Sequence, residues 1–448
     1  MNSVSMLRIE LRRSVGFLAF PVLLAVAFAM GWAYTSLGFD VWLDTSIAIR
    51  SSVLLVGPLI GGLSAWVAIR NKRRGIQEML AIAPRSPVVR DLTTWAGTAL
   101  WGVLAYLLFA GVMLALTYPN ATWGTPLPGF ILVGLLAVFA ASASGFAAGY
   151  YLPSRFTAPV VAVVIFMAQG TTADMQNYSL LSPTPSPLLN LSVFYEVTQV
   201  ALSQSLLFGS LSGIALALVV VKNWRHGFLP WFALVFFCAI GTIGAVMSVE
   251  ASPRVYDDGS FESFVPYEPV CEEGRIIVCV HPAYEASLPE VANNINELAE
   301  PLAGLVGSPT HALQSNEFAY PKKYRKNAVT FYEGVSGGEW SDFGAQNLAY
   351  ELVAGQGVGD GYEEGRMLCE SNFGKSEYYP PEEAKGIVAD GLTMRIGAYS
   401  EEMPVAECRS SEKRVKRFAA LDPAGQRVWL RENFADLRAG KLTPEDLP

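Results

Sequence analysis

Seven apolar stretches, at 14–36, 52–69, 92–117, 129–151, 157–172, 199–221 and 228–248, run through the first half of this 448-residue chain and then stop. Each approaches or exceeds the roughly 20 residues that a helix needs to cross a hydrocarbon core, and the fifth is the shortest. In lipid the backbone must satisfy its own hydrogen bonds, and over such lengths the helix does so. The pattern predicts an α-helical polytopic membrane domain over 1–249, followed by a water-soluble domain over 250–448. Gly57, Gly61, Gly62, Gly145, Gly149, Gly209 and Gly213 suit close approach of one helix to another.

Charge divides at the same place. Residues 1–250 carry 13 Lys/Arg against 8 Asp/Glu, and residues 251–448 carry 19 against 32. The basic residues sit in short clusters beside apolar spans and the large soluble part is acidic, which excludes a nucleic-acid partner. Orientation follows from the short connections. With the N-terminus in the cytoplasm, Arg8, Arg12, Arg13, Arg70, Lys72, Arg73, Arg74, Arg85, Arg90, Arg155, Lys222 and Arg225 fall inside, and only Arg50 lies in an outside loop. That bias needs all seven crossings, and an odd count places 249–448 outside. The first stretch has a basic leader, but its apolar run is too long for a signal peptide and no small-x-small site closes it. It reads as a retained span.

Cysteine usage bears on the same topology. Cys238 lies within the last span as a small apolar residue. Cys271, Cys279, Cys369 and Cys408 all lie in the proposed outside domain, where an even number in an oxidising compartment reads as two disulfides. Of the three pairings, proximity favours Cys271–Cys279 with Cys369–Cys408. Free buried thiols are the alternative. No CxxC or His–Cys spacing suggests a metal.

The connection between the second and third spans, Arg70 to Arg90, has a pattern of its own. Gly75 breaks from the preceding helix. Ile76, Met79, Leu80 and Ala83 then recur at helical spacing, with Gln77, Glu78 and arginines on the opposite face, and Pro84 and Pro87 end the run. This is a short amphipathic helix at the cytoplasmic surface, bracketed by basic clusters. By charge alone it could rest on anionic lipid headgroups.

Its residue order says more. Gly75-Ile76-Gln77-Glu78-Met79-Leu80, followed by Pro84-Arg85-Ser86, resembles the Gly-Thr-x-Glu-x-Leu…Pro-x-Ser element of type-2 ATP-binding-cassette (ABC) permeases. In that family the element is the coupling helix, also placed between the second and third spans. Ile76 replaces the usual Thr, and Arg73 or Arg74 stands where an acidic residue is common. The resemblance covers about residues 1–222 and implies six core spans, to which this chain adds a seventh and the outside domain. It also implies short re-entrant helices between the fifth and sixth spans. Residues 173–198 suit such a segment, being too apolar for a free loop and too rich in proline for a span.

The resemblance implies a mechanism. A separate ATP-binding-cassette ATPase subunit, binding ATP and Mg, would dock on the 75–84 helix. Glu78 would make the polar contact and Met79 and Leu80 would fill its groove. A second permease copy or a homologue would complete the transporter. The chain has no ATPase site or cofactor of its own, since Gly374-Lys375-Ser376 lacks the leading Gly of a P-loop, that position being Cys369. Ion-coupled transporters keep an ionisable group near mid-membrane. Here Asp91, Asp174, Glu196 and Glu250 sit at span ends, which favours an external energy source and an apolar or amphipathic substrate.

The outside domain reads as α+β. Leu288, Val291, Ile295, Leu298 and Leu302 predict a helix over 284–303. Residues 275–280 and 327–332 read as strands, and 341–354 and 411–438 as helices. His281 and His311 stand about 30 residues apart with no carboxylate pattern. There is no HExxH helix and no Gly-x-Ser-x-Gly elbow, so enzyme activity is not expected. The alternative to an exporter subunit is a membrane-anchored receptor or regulatory protein acting through this outer domain.

Overall fold

A computed structural model describes residues 3–34, 42–70, 86–121, 124–184, 197–223, 228–251, 268–314, 327–331, 342–355, 380–399 and 411–448. The chain forms two compact units, Met1–Val265 and Pro266–Pro448.

The first unit is helical: α1 (Ser3–Arg13), α2 (Val15–Tyr34), α3 (Trp42–Ser51), α4 (Val53–Ala68), α5 (Pro87–Thr117), α6 (Pro128–Tyr151), α7 (Thr157–Asp174), a 3-10 turn (Gln176–Leu181), α8 (Val197–Asn223) and α9 (Phe228–Glu250). Among the described residues six apolar helical stretches are long enough to cross a bilayer: Val15–Trp32, Thr45–Ala68, Pro87–Thr117, Pro128–Tyr151, Gln199–Asn223 and Phe228–Glu250. The chain is a multi-pass membrane protein.

Two spans differ from expectation. The second begins at Thr45 rather than 52, because α3 runs almost unbroken into α4. The fifth, Thr157–Ala173, is apolar but shorter than the six. At about 1.5 Å per residue α7 is some 26 Å long, a little under a hydrocarbon core of about 30 Å.

Small residues set how the helices pack. Gly145 and Gly149 on α6 face Gly61 and Ala65 on α4, each pair four residues apart. A Cβ on Gly145 would lie 2.0 Å from the Gly61 carbonyl oxygen, and one on Gly149 would lie 2.4 Å from that of Ala65. Side chains there would force the two backbones apart. α7 lies antiparallel along the other side of α4, with Gly62 against Ala158, Gly61 against Ile165 and Gly57 against Gln169. Gly213 meets the Phe237 ring, but Gly209 has nothing within 4 Å, so only some of the anticipated glycines mediate close approach.

These contacts give the bundle two faces. On one, Arg70 at the end of α4 pairs with Glu10 of α1, and Asp91 at the start of α5 meets Asn223 at the end of α8. On the other, Thr45 of α3 bonds Thr117 at the end of α5, and Arg50 meets Gln204 near the start of α8. α9 runs back along α8, with Gly241 at Ser210 and Gly244 at Leu207 and Ser203, so its Glu250 end lies toward the face of Gln204.

The second unit holds a four-stranded sheet in the order β1 (Val270–Glu272), β2 (Ile277–Val280), β3 (His311–Gln314) and β4 (Ala328–Phe331). β1–β2 is antiparallel, and β2–β3 and β3–β4 are parallel. α10 (Leu288–Leu298) makes the crossover from β2 to β3, as parallel neighbours require. Its Leu288, Val291, Ile295 and Leu298, with Leu302 beyond, are buried against the sheet residues Val278, Val280 and Val329. α11 (Asp342–Ala354), α12 (Pro380–Arg395), α13 (Glu412–Ala419) and α14 (Pro423–Arg438) complete the core through Leu348, Leu352, Ile387, Leu392, Phe418, Leu430 and Phe434.

The stretch read as helical over 411–438 holds two helices, α13 and α14. Asp422 caps α14, its side chain accepting the Gly425 N–H at 2.8 Å, and Pro423 takes the first helical position. A proline there has no partner for the preceding helix and starts a new one instead.

Candidate functional site

The anticipated cytoplasmic helix, Gly75, Ile76, Glu78, Met79, Leu80 and Pro84 included, lies outside the described residues. How the chain enters and leaves it is described. At the entry, Arg70 ends α4 and is ion-paired with Glu10, both half-buried. α1 in turn lies on α5, where Trp101 Nε1 donates to the Leu11 carbonyl at 3.0 Å and Gly97 leaves room for the Glu10 side chain.

At the exit, Ser86 caps α5 by accepting the Val89 N–H at 3.4 Å, with Pro87 in the first turn. One turn on, Asp91 is buried. Asn223 Nδ2 donates to its carboxylate at 3.4 Å, Arg90 Nε lies 3.2 Å from the other oxygen, and Tyr150 OH donates to Asn223 Oδ1 at 2.9 Å. Lys222 Nζ donates to the Tyr150 carbonyl at 3.1 Å and lies 4.6 Å from the centres of the Tyr150 and Tyr151 rings. The ends of α5, α6 and α8 thus meet in one polar junction, one turn past the Ser86 cap.

A second junction occupies the opposite face. Arg50, anticipated in an outside loop, is instead fully buried near the end of α3 and inside the span Thr45–Ala68. It interrupts an apolar run: Ile47, Ala48 and Ile49 precede it, and Val53, Leu54 and Leu55 follow soon after. Arg50 Nε donates to the Pro183 carbonyl at 2.5 Å and Nη2 to Gln204 Oε1 at 2.6 Å, while the guanidinium lies 5.1 Å from the Phe130 ring centre. Gln204 Nε2 donates to the carbonyls of Leu180 (2.7 Å) and Ser182 (3.0 Å). Ser182 Oγ donates to the Gln169 carbonyl at 3.0 Å. In a bilayer each of these backbone groups needs a partner, and the side chains of Arg50, Gln204 and Ser182 supply them.

The anticipated re-entrant segment 173–198 is described as far as Thr184. Leu180, Ser182 and Thr184 are buried, and Tyr178 is exposed. Residues 185–196 lie outside the described residues.

In the second unit, Cys271 and Cys279 stand opposite each other on β1 and β2 and are joined as a disulfide. Cys369 and Cys408 lie outside the described residues. His281, at the end of β2, is buried, and loss of hydration pushes its pKa down to about 4. Burial pushes Glu351 of α11 up to about 7. His311 shares a 2.9 Å hydrogen bond with Thr310. Among the described residues no group of three or more His, Cys, Asp or Glu could hold a metal ion. α12, which the sequence pattern did not reveal, carries Glu383, Lys385 and Asp390 in buried positions. Ser411 donates to Glu383 at 2.5 Å, and Gln346 of α11 donates to Asp390 at 3.4 Å.

Comparison of the chain with family models, curated proteins and solved structures gives no match.

Proposed function

We propose that the chain is the membrane-spanning subunit of an ABC exporter, energised by a separate ATPase that docks on the 75–84 helix. One observation carries this reading. The residue order Gly75-Ile76-Gln77-Glu78-Met79-Leu80…Pro84-Arg85-Ser86 stands between α4 and α5, and both flanking helix ends are tied into the bundle by ion pairs and hydrogen bonds. A lever needs such fixed attachment points, because a push on a loosely held segment would be lost in local motion.

On this reading α7 is the fifth and α8 the sixth core crossing, and α9 adds a seventh, so the face of Arg70 and Asp91 is cytoplasmic. The chain sits in the cytoplasmic membrane with residues 266–448 outside, and a second permease copy or a homologue pairs with it. Arg50 lies within a span, where an ionisable group can mark an ion pathway. A guanidinium does not release its proton, so Arg50 is no relay, and the energy still has to come from the partner's ATP and Mg. The substrate is apolar or amphipathic.

The test is association. The full chain, purified from its native membrane, co-purifies with an ATP-binding-cassette ATPase subunit, and Glu78→Arg or Leu80→Asp abolishes the association while leaving the chain folded. Association that survives both substitutions overturns the docking assignment. Recovery of the chain without any ATPase favours a membrane-anchored receptor acting through residues 266–448.

A further inference from the structure

Lys222, in the last turn of α8, is exposed, yet its ammonium is held in one place. Nζ donates to the Tyr150 carbonyl at 3.1 Å and stands 4.6 Å from the centres of the Tyr150 and Tyr151 rings. Tyr151 is itself fixed on α8, its OH donating to the Leu218 carbonyl at 2.7 Å. An ammonium carries three donors, so two remain for other acceptors. Four residues past Tyr151, the Arg155 guanidinium lies 5.0 Å from the centre of the Phe156 ring. The turn that carries it is closed from within, the Ser154 N–H donating to the Leu152 carbonyl at 2.8 Å and the Thr157 N–H to the Ser154 carbonyl at 3.1 Å. Among the described residues no carboxylate pairs with Lys222 or Arg155. Asp91, in the neighbouring junction, is matched by Arg90. Two unmatched cations therefore stand at the ends of α6 and α8.

An apolar stripe begins at the same turn. α7 packs on α4 through Ala158, Ile165 and Gln169. Its opposite face carries Phe156, Val160, Val163 and Met167, spaced at helical intervals and between 52% and 60% exposed. On a helix inside a membrane, such a stripe meets acyl chains. α7 is also shorter than the hydrocarbon core is thick, and a short span draws the headgroup layer toward its ends.

We propose that the turn Tyr150–Phe156, with Lys222, is a binding site for one anionic phospholipid. Lys222 and Arg155 take the phosphate and its headgroup, and an acyl chain lies along Phe156, Val160, Val163 and Met167. The charge of the site selects the headgroup. A zwitterionic lipid brings its own ammonium to offset its phosphate, whereas two unmatched protein cations favour a headgroup of net negative charge. The aromatic rings beneath Lys222 and Arg155 hold each cation in place without neutralising it. The stripe selects a lipid over a free anion, because inorganic phosphate would satisfy the cations and leave the apolar face of α7 unused. The site needs no ATPase and does not depend on the exporter reading.

Native mass spectrometry of the detergent-solubilised full chain, titrated separately with dioleoyl phosphatidylglycerol and dioleoyl phosphatidylcholine, reads the site. The chain retains phosphatidylglycerol in preference to phosphatidylcholine. Lys222→Gln and Arg155→Gln each weaken that retention about fivefold, and the pair weakens it about 30-fold. Arg8→Gln with Arg12→Gln removes the same charge from exposed positions of α1 and leaves retention unchanged. An equal loss in this control would mean general attraction to a basic face and would overturn the proposal, as would equal retention of the two lipids. Sodium phosphate, or dihexanoyl phosphatidylglycerol, competing as well as the long-chain lipid would make this a free-anion site and overturn it too. A second copy of the chain seated on the stripe would appear in the same spectra as a dimer without bound lipid, and would also overturn it. Should Lys222→Gln fail to fold, Arg155→Gln and Val160→Ser decide. The first weakens both long-chain and short-chain phosphatidylglycerol, and the second weakens only the long-chain lipid.

Discussion

Arg50 and Gln204, 154 positions apart in the chain, join side chain to side chain at 2.6 Å within the helical bundle, and both are fully buried. The bond links the end of α3 to α8 and brings two more backbone carbonyls, those of Leu180 and Ser182, into the same cluster. A charge in this position is costly to desolvate, and it is held by two acceptors, the Pro183 carbonyl and Gln204 Oε1, and by the Phe130 ring.

Replacing Gln204 with Leu leaves an Arg50 donor and two carbonyls short of a partner. Each such loss costs about 1–3 kcal/mol in a buried setting. Gln204→Leu therefore lowers the thermal midpoint of the detergent-solubilised chain, and so does Arg50→Leu. The two do not add, because they remove the same bond, and the double variant falls short of the sum by about 0.5–3 kcal/mol. Additive midpoints would show that the 2.6 Å contact contributes nothing.

Two glycines of the same sequence pattern separate by their surroundings. Gly145→Ala places a methyl 2.0 Å from the Gly61 carbonyl, so α4 and α6 must part. Overpacking of this kind costs about 1–3 kcal/mol. Gly209→Ala meets nothing within 4 Å and is neutral, or stabilises by up to about 1 kcal/mol through helix propensity. Thermal midpoints of the two variants, compared with the parent, check the contrast, and equal effects would refute it.

That contrast shows what was legible in the sequence. Long apolar runs fix helices one at a time, so six of the seven anticipated spans emerge long enough to cross. Periodicity likewise marked Leu288, Val291, Ile295 and Leu298 as one buried face, and it was right. The partner of a glycine is a property of two helices, and nothing in the local pattern distinguishes Gly145 from Gly209. Arg50 was misplaced because a charge normally ends a span, whereas here neutral acceptors from elsewhere in the chain receive it. Asp91 stood out only as a charge at an inner end. Its link to Asn223 and Tyr150 joins residues more than 50 positions apart, which no local window reads. α12 escaped because Glu383, Lys385 and Asp390 break any apolar periodicity while lying buried.

The Cys271–Cys279 bond closes a loop of eight residues' separation at the edge strand of the sheet. A loop of that size restrains the unfolded chain by about 2–3 kcal/mol on the chain-entropy account. Cys271→Ala with Cys279→Ala lowers the stability of this unit by that order and speeds amide exchange in β1 and β2 more than in α14. Exchange unchanged throughout would show that the sheet edge holds without its crosslink.

Two buried groups of the second unit titrate in opposite senses. His281 has its pKa lowered to about 4 against an ordinary 6.5, so the unfolded chain binds more protons between those values. Its contribution to stability is complete above pH 6.5 and is lost as pH falls toward 4. Glu351 has its pKa raised to about 7 from 4.5, so the folded chain binds more protons in that window. Its contribution is complete below pH 4.5 and is lost as pH rises through 7. Each shift corresponds to about 3 kcal/mol across its window. Between pH 4.5 and 6.5 the two slopes oppose and offset one another in part. Glu351→Gln unmasks His281, and stability then climbs as pH rises from 4.5 to 6.5. His281→Gln unmasks Glu351, and stability falls over the same interval. Amide-exchange protection in α10 and α12, corrected for intrinsic rates and followed from pH 4 to 8, reads both. A Glu351→Gln profile with the same slope as the parent's would mean that burial of this carboxyl does not govern its proton.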